Sequence, residues 1–274
     1  MKVGVYDLDG NKVKEIELPE VFLSPVRPDL IWRAVLAIRS KRFQPKGRSP
    51  TSGKKYVVVN LGKGYDRARI ARIFGGTGPA KFVAQAVGGL RVRAPKSNKV
   101  IVEKINKKEK LRALESALAA TIDPILVQMR GHLLGDVKEL PIVLVDDFEN
   151  LKKTAEVRET IFKLGLKEEF ERVKEGRRQR AGKGKRRGRR LKRRKGPLIV
   201  VSNKEASVIL AARNLEGVDV VPVEKLSVEH LAPGGHPGRL VIWTESSIKK
   251  LAEIIQMRWE KLRSKKVDLA KVAV

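Results

Sequence analysis

The sequence contains no cysteine. That excludes a disulfide scaffold, thiolate metal sites and a cysteine nucleophile. Histidine occurs only three times, at His132, His230 and His236. None of these spacings puts two imidazoles on one helical face, so they read as surface residues and no metal site is expected. No run of about 18 apolar residues occurs, so no membrane span is expected. The opening residues MKVGVYDLDG lack an apolar signal core, which points to a cytoplasmic protein. There is no internal repeat. Gly62-Lys63-Gly64 and Gly75-Gly76-Thr77-Gly78 are glycine-rich, but neither has the spacing of a phosphate-binding loop or a dinucleotide fingerprint. No nucleotide, methyl-donor or other cofactor is therefore expected, and no small-molecule substrate. Ser202 lacks the glycines of a nucleophile elbow.

Acid is scarce in two places, and this decides the reading. The chain carries 60 Lys and Arg against 31 Asp and Glu, a formal net charge of +29. From 44 to 96 there are twelve Lys/Arg and one acid, Asp66. The cations are Lys46, Arg48, Lys54, Lys55, Lys63, Arg67, Arg69, Arg72, Lys81, Arg91, Arg93 and Lys96. From 177 to 195 there are thirteen Lys/Arg and no acid. They are Arg177, Arg178, Arg180, Lys183, Lys185, Arg186, Arg187, Arg189, Arg190, Lys192, Arg193, Arg194 and Lys195. The remainder of the chain is nearly neutral. Basic charge concentrated in this way points to phosphate backbones.

The first basic stretch also holds nine Gly and four Pro with little sustained periodicity. A connection of that length in a compact domain is usually functional or disordered. Tyr56, Val57, Val58, Val59, Leu61, Ile70, Ile73, Phe74, Phe82, Val83 and Val87 lie among its cations. A solvated linker has little use for them. An arm inserted into folded RNA can pack them on riboses and bases while Arg and Lys meet phosphates. Like-charge repulsion predicts that such an arm orders only on its polyanion.

Elsewhere the chain reads as α/β. Val3 to Tyr6 and Val13 to Leu18 flank Asp9-Gly10-Asn11, a hairpin signal. Asp29 begins a helix running to about Phe43, and Asn106 begins one over about 107–121. A short helix is expected over 124–131. Continuous apolar runs at Ile142 to Val145, Leu198 to Val201, Val218 to Val223 and Leu240 to Trp243 alternate with helical segments. Those segments are 152–164, 167–174, 204–214, 227–231 and a last helix from Thr244 to about Arg263. Apolar runs separated by helices predict a central, mostly parallel sheet with helices on both faces, plus a long extended basic arm as an internal loop. The expected division is a body at 1–43 and 97–263, the arm at 44–96, a basic insertion at 177–195 within the body, and a frayed tail at 264–274.

Such sheets bind ligands beyond their strands' carboxyl ends. Asp146 and Asp147 stand there after the first run, which leaves an alternative: an RNA-modifying or RNA-cleaving enzyme using that pair. No third carboxylate or histidine is evident at a matching strand end.

Five segments in order resemble the universal large-subunit ribosomal protein four family, in its archaeal and eukaryotic branch. They are RPDLIWRAVLAIRSKRFQPKGR, GKGYDRARIAR, AVGGLRVRAPKSNKVIVEKINKKEKLRALESALAATID, EGRRQRAGKGKRRGRRLKRRKGPLIVVS and ILAARNLEGVDVVPVEKLSVEHLAPGGHPGRLVIW. The resemblance implies a structural, non-enzymatic constituent of the large subunit that binds its rRNA and aids assembly. It also implies an arm threaded through rRNA to the wall of the peptide exit tunnel. There it would meet protein twenty-two of the same subunit, and other ribosomal proteins would border the body. By position the arm tip falls within Gly62 to Gly78, with Gly62, Lys63, Gly64, Arg67, Arg69, Arg72, Gly75 and Gly76 as candidates at the tunnel. Gly88, Gly89, Arg91 and Arg93 match the return limb. A secondary role in binding messenger RNA is left open.

Overall fold

The structure, a computed structural model, describes residues 1–137 and 139–272, with side chains described as far as Ser264. Contacts divide the chain into two compact units, one formed by Met1–Arg39 with Lys104–Val274, the other by Ser40–Glu103.

The first unit is built on a six-stranded sheet. Strands β1 (Lys2–Tyr6) and β2 (Lys12–Glu17) form the expected antiparallel hairpin. Its turn is closed by Asp7 N–H to Asn11 O and Gly10 N–H to Asp7 O. The remaining strands are β3 (Ile142–Leu144), β6 (Leu198–Val201), β7 (Asp219–Pro222) and β8 (Val241–Thr244). Their order is β2-β1-β3-β8-β6-β7, and every pair except the hairpin is parallel. All residues of β3, β6 and β8 are buried. That explains why these strands read as unbroken apolar runs rather than as alternating ones.

Successive side chains in a strand point to opposite faces, and two separate cores result. One gathers Val5, Val143, Val200 and Trp243 with α1 (Pro28–Ser40), α2 (Lys107–Ala119), α7 (Val228–Leu231) and α8 (Glu245–Val272). The other gathers Ile142, Leu144, Ile199, Val201 and Ile242 with α3 (Pro124–Met129), α4 (Thr154–Lys163) and α6 (Val208–Ala212). The arrangement is therefore the mostly parallel sheet with helices on both faces. Trp243 is fully buried and meets Phe22 edge-to-face, with ring centroids 5.6 Å apart. Fully burying one such aromatic side chain is worth about 1.5–3 kcal/mol.

Local signals place several ends. Asp123 Oδ1 accepts the Ile125 N–H at 2.9 Å, with Pro124 at the first position of α3. The last helix differs from expectation: α8 continues to Val272, well past Arg263. Of the expected tail, residues 273 and 274 lie outside the described residues. One histidine also departs from its surface reading. His132 is only 3% exposed and lies 2.7 Å through Nδ1 from Glu169 on α5 (Lys167–Glu175). Arg172 fixes the same carboxylate through two bonds, at 2.7 and 2.6 Å.

Candidate nucleic-acid interface

The unit Ser40–Glu103 contains almost no regular secondary structure. Its backbone is ordered by turns and a small clasp. Val59 and Arg72 exchange both backbone hydrogen bonds, at 2.9 and 3.1 Å, and Arg72 is also bridged to Ala80. Glycine and proline frequency explains why nothing longer forms, since Gly weakens strands and Pro removes donors.

The clasp encloses the loop 73–78. Gly78 N–H reaches Ile73 O at 3.0 Å, and the Thr77 N–H and hydroxyl both donate to Phe74 O. Gly76 lies here with φ +99°, and a Cβ on it would sit 2.3 Å from the Leu61 side chain, so only glycine fits. Phe74 itself has φ +55° and is 77% exposed.

The twelve cations of 44–96 are mostly exposed. Lys46, Lys54, Lys55, Lys63, Arg67, Arg69, Arg91, Arg93 and Lys96 are open to solvent, while Arg48, Arg72 and Lys81 are half-buried. The structure brings Arg67 and Arg72 to one loop: their Nη1 groups donate to Thr77 O at 3.2 Å and Gly78 O at 3.4 Å. Arg72 Nε is buried and has no acceptor. Arg48 donates to Ser52 Oγ at 2.7 Å. Lys81 donates to Val87 O at 2.7 Å and stands 5.3 Å over the Tyr56 ring. Lys63 and Arg69 do not join the Arg67–Arg72 loop. Among the described residues, none of the twelve makes an ion pair. Of the glycines assigned to the tip, Gly62, Gly64 and Gly75 are exposed, all with positive φ.

The second basic tract was legible only as a low-complexity insertion, yet it folds as a ribbon. Strands β4 (Arg178–Gln179) and β5 (Leu191–Lys192) pair antiparallel around a helical turn at Lys183–Arg187. Arg180 N–H donates to Arg190 O at 2.8 Å, and its guanidinium donates to Arg189 O at 3.1 Å. Near its two ends the tract is tied to the body. Arg177 pairs with Glu216 and Lys195 with Asp219, both at 2.8 Å. Asp219 also accepts from the buried Arg239 at 2.7 Å. Burial works against its ionised form, but Arg239 and Lys195 outweigh that and hold its carboxyl below the usual range. Between these anchors Arg178, Lys183, Lys185, Arg186, Arg187, Arg189, Arg190, Lys192, Arg193 and Arg194 are exposed.

The carboxyl ends of the strands are occupied by the protein's own bonds. Asp146 accepts the Ser246 N–H at 2.9 Å and the Ser246 hydroxyl at 2.5 Å, at the start of α8. Asp147 is exposed in the helical turn after β3. A third carboxylate stands in the same turn after β3. Glu149, 8% exposed, accepts from Ser202 N–H at 2.6 Å, Ser202 Oγ at 2.8 Å and Thr244 Oγ1 at 2.6 Å. It ties the ends of β6 and β8 to the turn after β3. Its role is not marked by neighbouring residues, because Glu149 reads as one more residue of a capping segment. With their oxygens bonded inside the fold, Asp146 and Glu149 hold strand ends together. Among the described residues no group of three or more acidic and imidazole side chains could hold a metal ion, and no helix is long and apolar enough to cross a membrane.

Comparison with known proteins decides among the readings. The family model described as "Ribosomal protein L4/L1 family" matches residues 16–254. The chain belongs to the ribosomal protein L4/L1 family. A curated relative from Methanocaldococcus jannaschii, named large ribosomal subunit protein uL4, is 48% identical over 92% of this chain and 99% of its own. The protein of that name from Saccharolobus solfataricus is 48% identical over 94% of this chain and 96% of its own. One from Methanosphaera stadtmanae is 44% identical over 93% and 98%. The resemblance seen in the five sequence segments thus holds across most of the chain, within archaeal relatives. L4/L1 proteins are ribosomal constituents rather than enzymes, which removes the reading of Asp146 and Asp147 as catalytic.

Proposed function

We propose that this chain is a structural constituent of the large ribosomal subunit that binds large-subunit rRNA through 44–96 and 177–195 and aids subunit assembly. The observation that carries the reading is the concentration of cations without ion-pair partners in 44–96, beside a body of near-balanced charge. Relatives named large ribosomal subunit proteins, alike over 99% and 96% of their own length, support it. The place of action is the ribosome in the cytoplasm.

In this reading Lys46, Arg48, Lys54, Lys55, Lys63, Arg67, Arg69, Arg72, Lys81, Arg91, Arg93 and Lys96 neutralise phosphates along the arm. The exposed cations of the ribbon do the same from the body. Specificity comes from RNA shape, because the deep A-form major groove excludes side chains. The loop held by the Val59–Arg72 clasp is the arm's tip, and it reaches the wall of the peptide exit tunnel beside protein twenty-two. The test is deletion of 44–96 with a short glycine bridge. The deleted protein keeps the circular dichroism of a folded α/β body but sediments poorly with assembled large subunits. Normal occupancy of the subunits by the deleted protein would overturn the proposal.

A further inference from the structure

One groove of the body is lined by residues of neither basic segment. With a volume of about 560 Å³, it opens between α2, the segment 224–228 and α8. Its floor is aliphatic: Leu111, Leu114, Leu226 and Leu262. Its rim is cationic. Lys107 and Lys110 stand three residues apart on α2, and Arg258 and Lys261 three apart on α8. Such a spacing puts each pair on one helical face. Lys225 adds a fifth cation, and the one acid of the rim, Glu224, is already paired with Lys204. Among the described residues, Lys107, Lys110 and Lys261 have no ion-pair partner.

We propose that this groove docks an acidic amphipathic helix of a second protein. The groove is complementary to such a helix on two counts. Leucine side chains between two helices accept the apolar stripe of a third, with anchors spaced i, i+3, i+4 and i+7. Two facing rows of unpaired cations accept the carboxylates that flank such a stripe, and they reject a basic segment. The volume lies within the range of ordinary binding clefts. Nucleic acid fits less well. A single strand binds by stacking on aromatic or guanidinium planes. The floor here has no ring, and the one guanidinium, Arg258, is turned to Glu224 O at 3.5 Å. The groove thus gives the body a protein-binding face distinct in chemistry from the RNA-binding segments.

The experiment uses the full chain with labelled leucine methyls and a synthetic peptide of about 15 residues, long enough to hold a helix. The peptide carries leucine at i, i+3, i+4 and i+7 and glutamate on both flanks. Because the basic segments attract any acidic peptide, the readout is local: the methyl signals of Leu111, Leu114, Leu226 and Leu262. These signals shift saturably with the peptide and stay unmoved by a scrambled peptide of equal composition. The double variant K110E/K261E, altered only at exposed side chains, keeps its spectrum and binds about tenfold more weakly, a loss of about 1.4 kcal/mol. No shift at these methyls, equal shifts with the scrambled peptide, or unchanged affinity in K110E/K261E would overturn the proposal. Oligouridylate moving the same methyls more strongly than the peptide would also overturn it, assigning the groove to RNA. None of these outcomes bears on rRNA binding by 44–96, so the two claims fail separately.

Discussion

Replacing Glu149 with alanine tests whether the carboxyl edge of the sheet is a structural knot. The Glu149 carboxylate receives three hydrogen bonds from Ser202 and Thr244, all in buried surroundings. Alanine leaves one backbone N–H and two hydroxyls without their acceptor. Each unsatisfied buried donor costs about 1–3 kcal/mol. Hydroxyl rotation and an entering water recover part of this, so the expected loss is about 3–5 kcal/mol. Against a total stability of about 5–15 kcal/mol for a domain, that is a large fraction. Glutamine keeps one oxygen for Ser202 N–H and Thr244 Oγ1 and turns an amide toward Ser202 Oγ, which can accept. Its cost is expected at about 1–2 kcal/mol. Urea unfolding followed by circular dichroism, with unchanged slope, measures both. A loss below about 1 kcal/mol for E149A would refute the reasoning. So would E149Q proving as damaging as E149A.

Three further outcomes follow from the geometry. Gly53 has φ +80°, and a Cβ there would lie 2.4 Å from Gly89 O; G53A therefore strains the unit Ser40–Glu103 and should weaken rRNA binding about tenfold or more in filter binding, while leaving the body's urea midpoint unchanged. Burial pushes His132 below its ordinary 6.5, against the pull of Glu169, with Arg172 and Arg130 also disfavouring the charged ring. The folded chain then takes up this proton only at a lower pH than the unfolded chain does, so stability falls as pH drops below 6.5. H132N removes that titration, and its stability should be flatter over the same window in urea melts. In amide exchange, 44–96 should exchange fast in the free chain and slowly on large-subunit rRNA, as coupled folding and binding requires; equal protection in both states would contradict this.

What could be read from the sequence was what depends on neighbours in sequence. The strands at Ile142, Leu198 and Val241 are buried on both faces, so their side chains need no alternation and show as apolar runs. The basic segments were legible because charge is a property of composition. Glu149 was not legible, because its partners Ser202 and Thr244 are 53 and 95 residues away. His132 was missed likewise, with Glu169 37 residues distant on α5. The ribbon of β4 and β5 escaped because its pairing is by backbone, between strands of two residues each, in a stretch where nearly every side chain is cationic. α8 runs past the expected end at Arg263 because Ser264 to Val272 holds no Gly or Pro to stop it.

The most direct test of the central claim is the salt dependence of binding to a large-subunit rRNA domain. It compares the intact chain, the chain lacking 44–96, and a chain with the exposed arginines and lysines of 177–195 changed to glutamine. Each phosphate neutralised contributes about 0.7–0.9 to the slope of log affinity against log salt. The account predicts a steep slope for the intact protein that falls by several units in each variant. A slope unchanged by both alterations would contradict it.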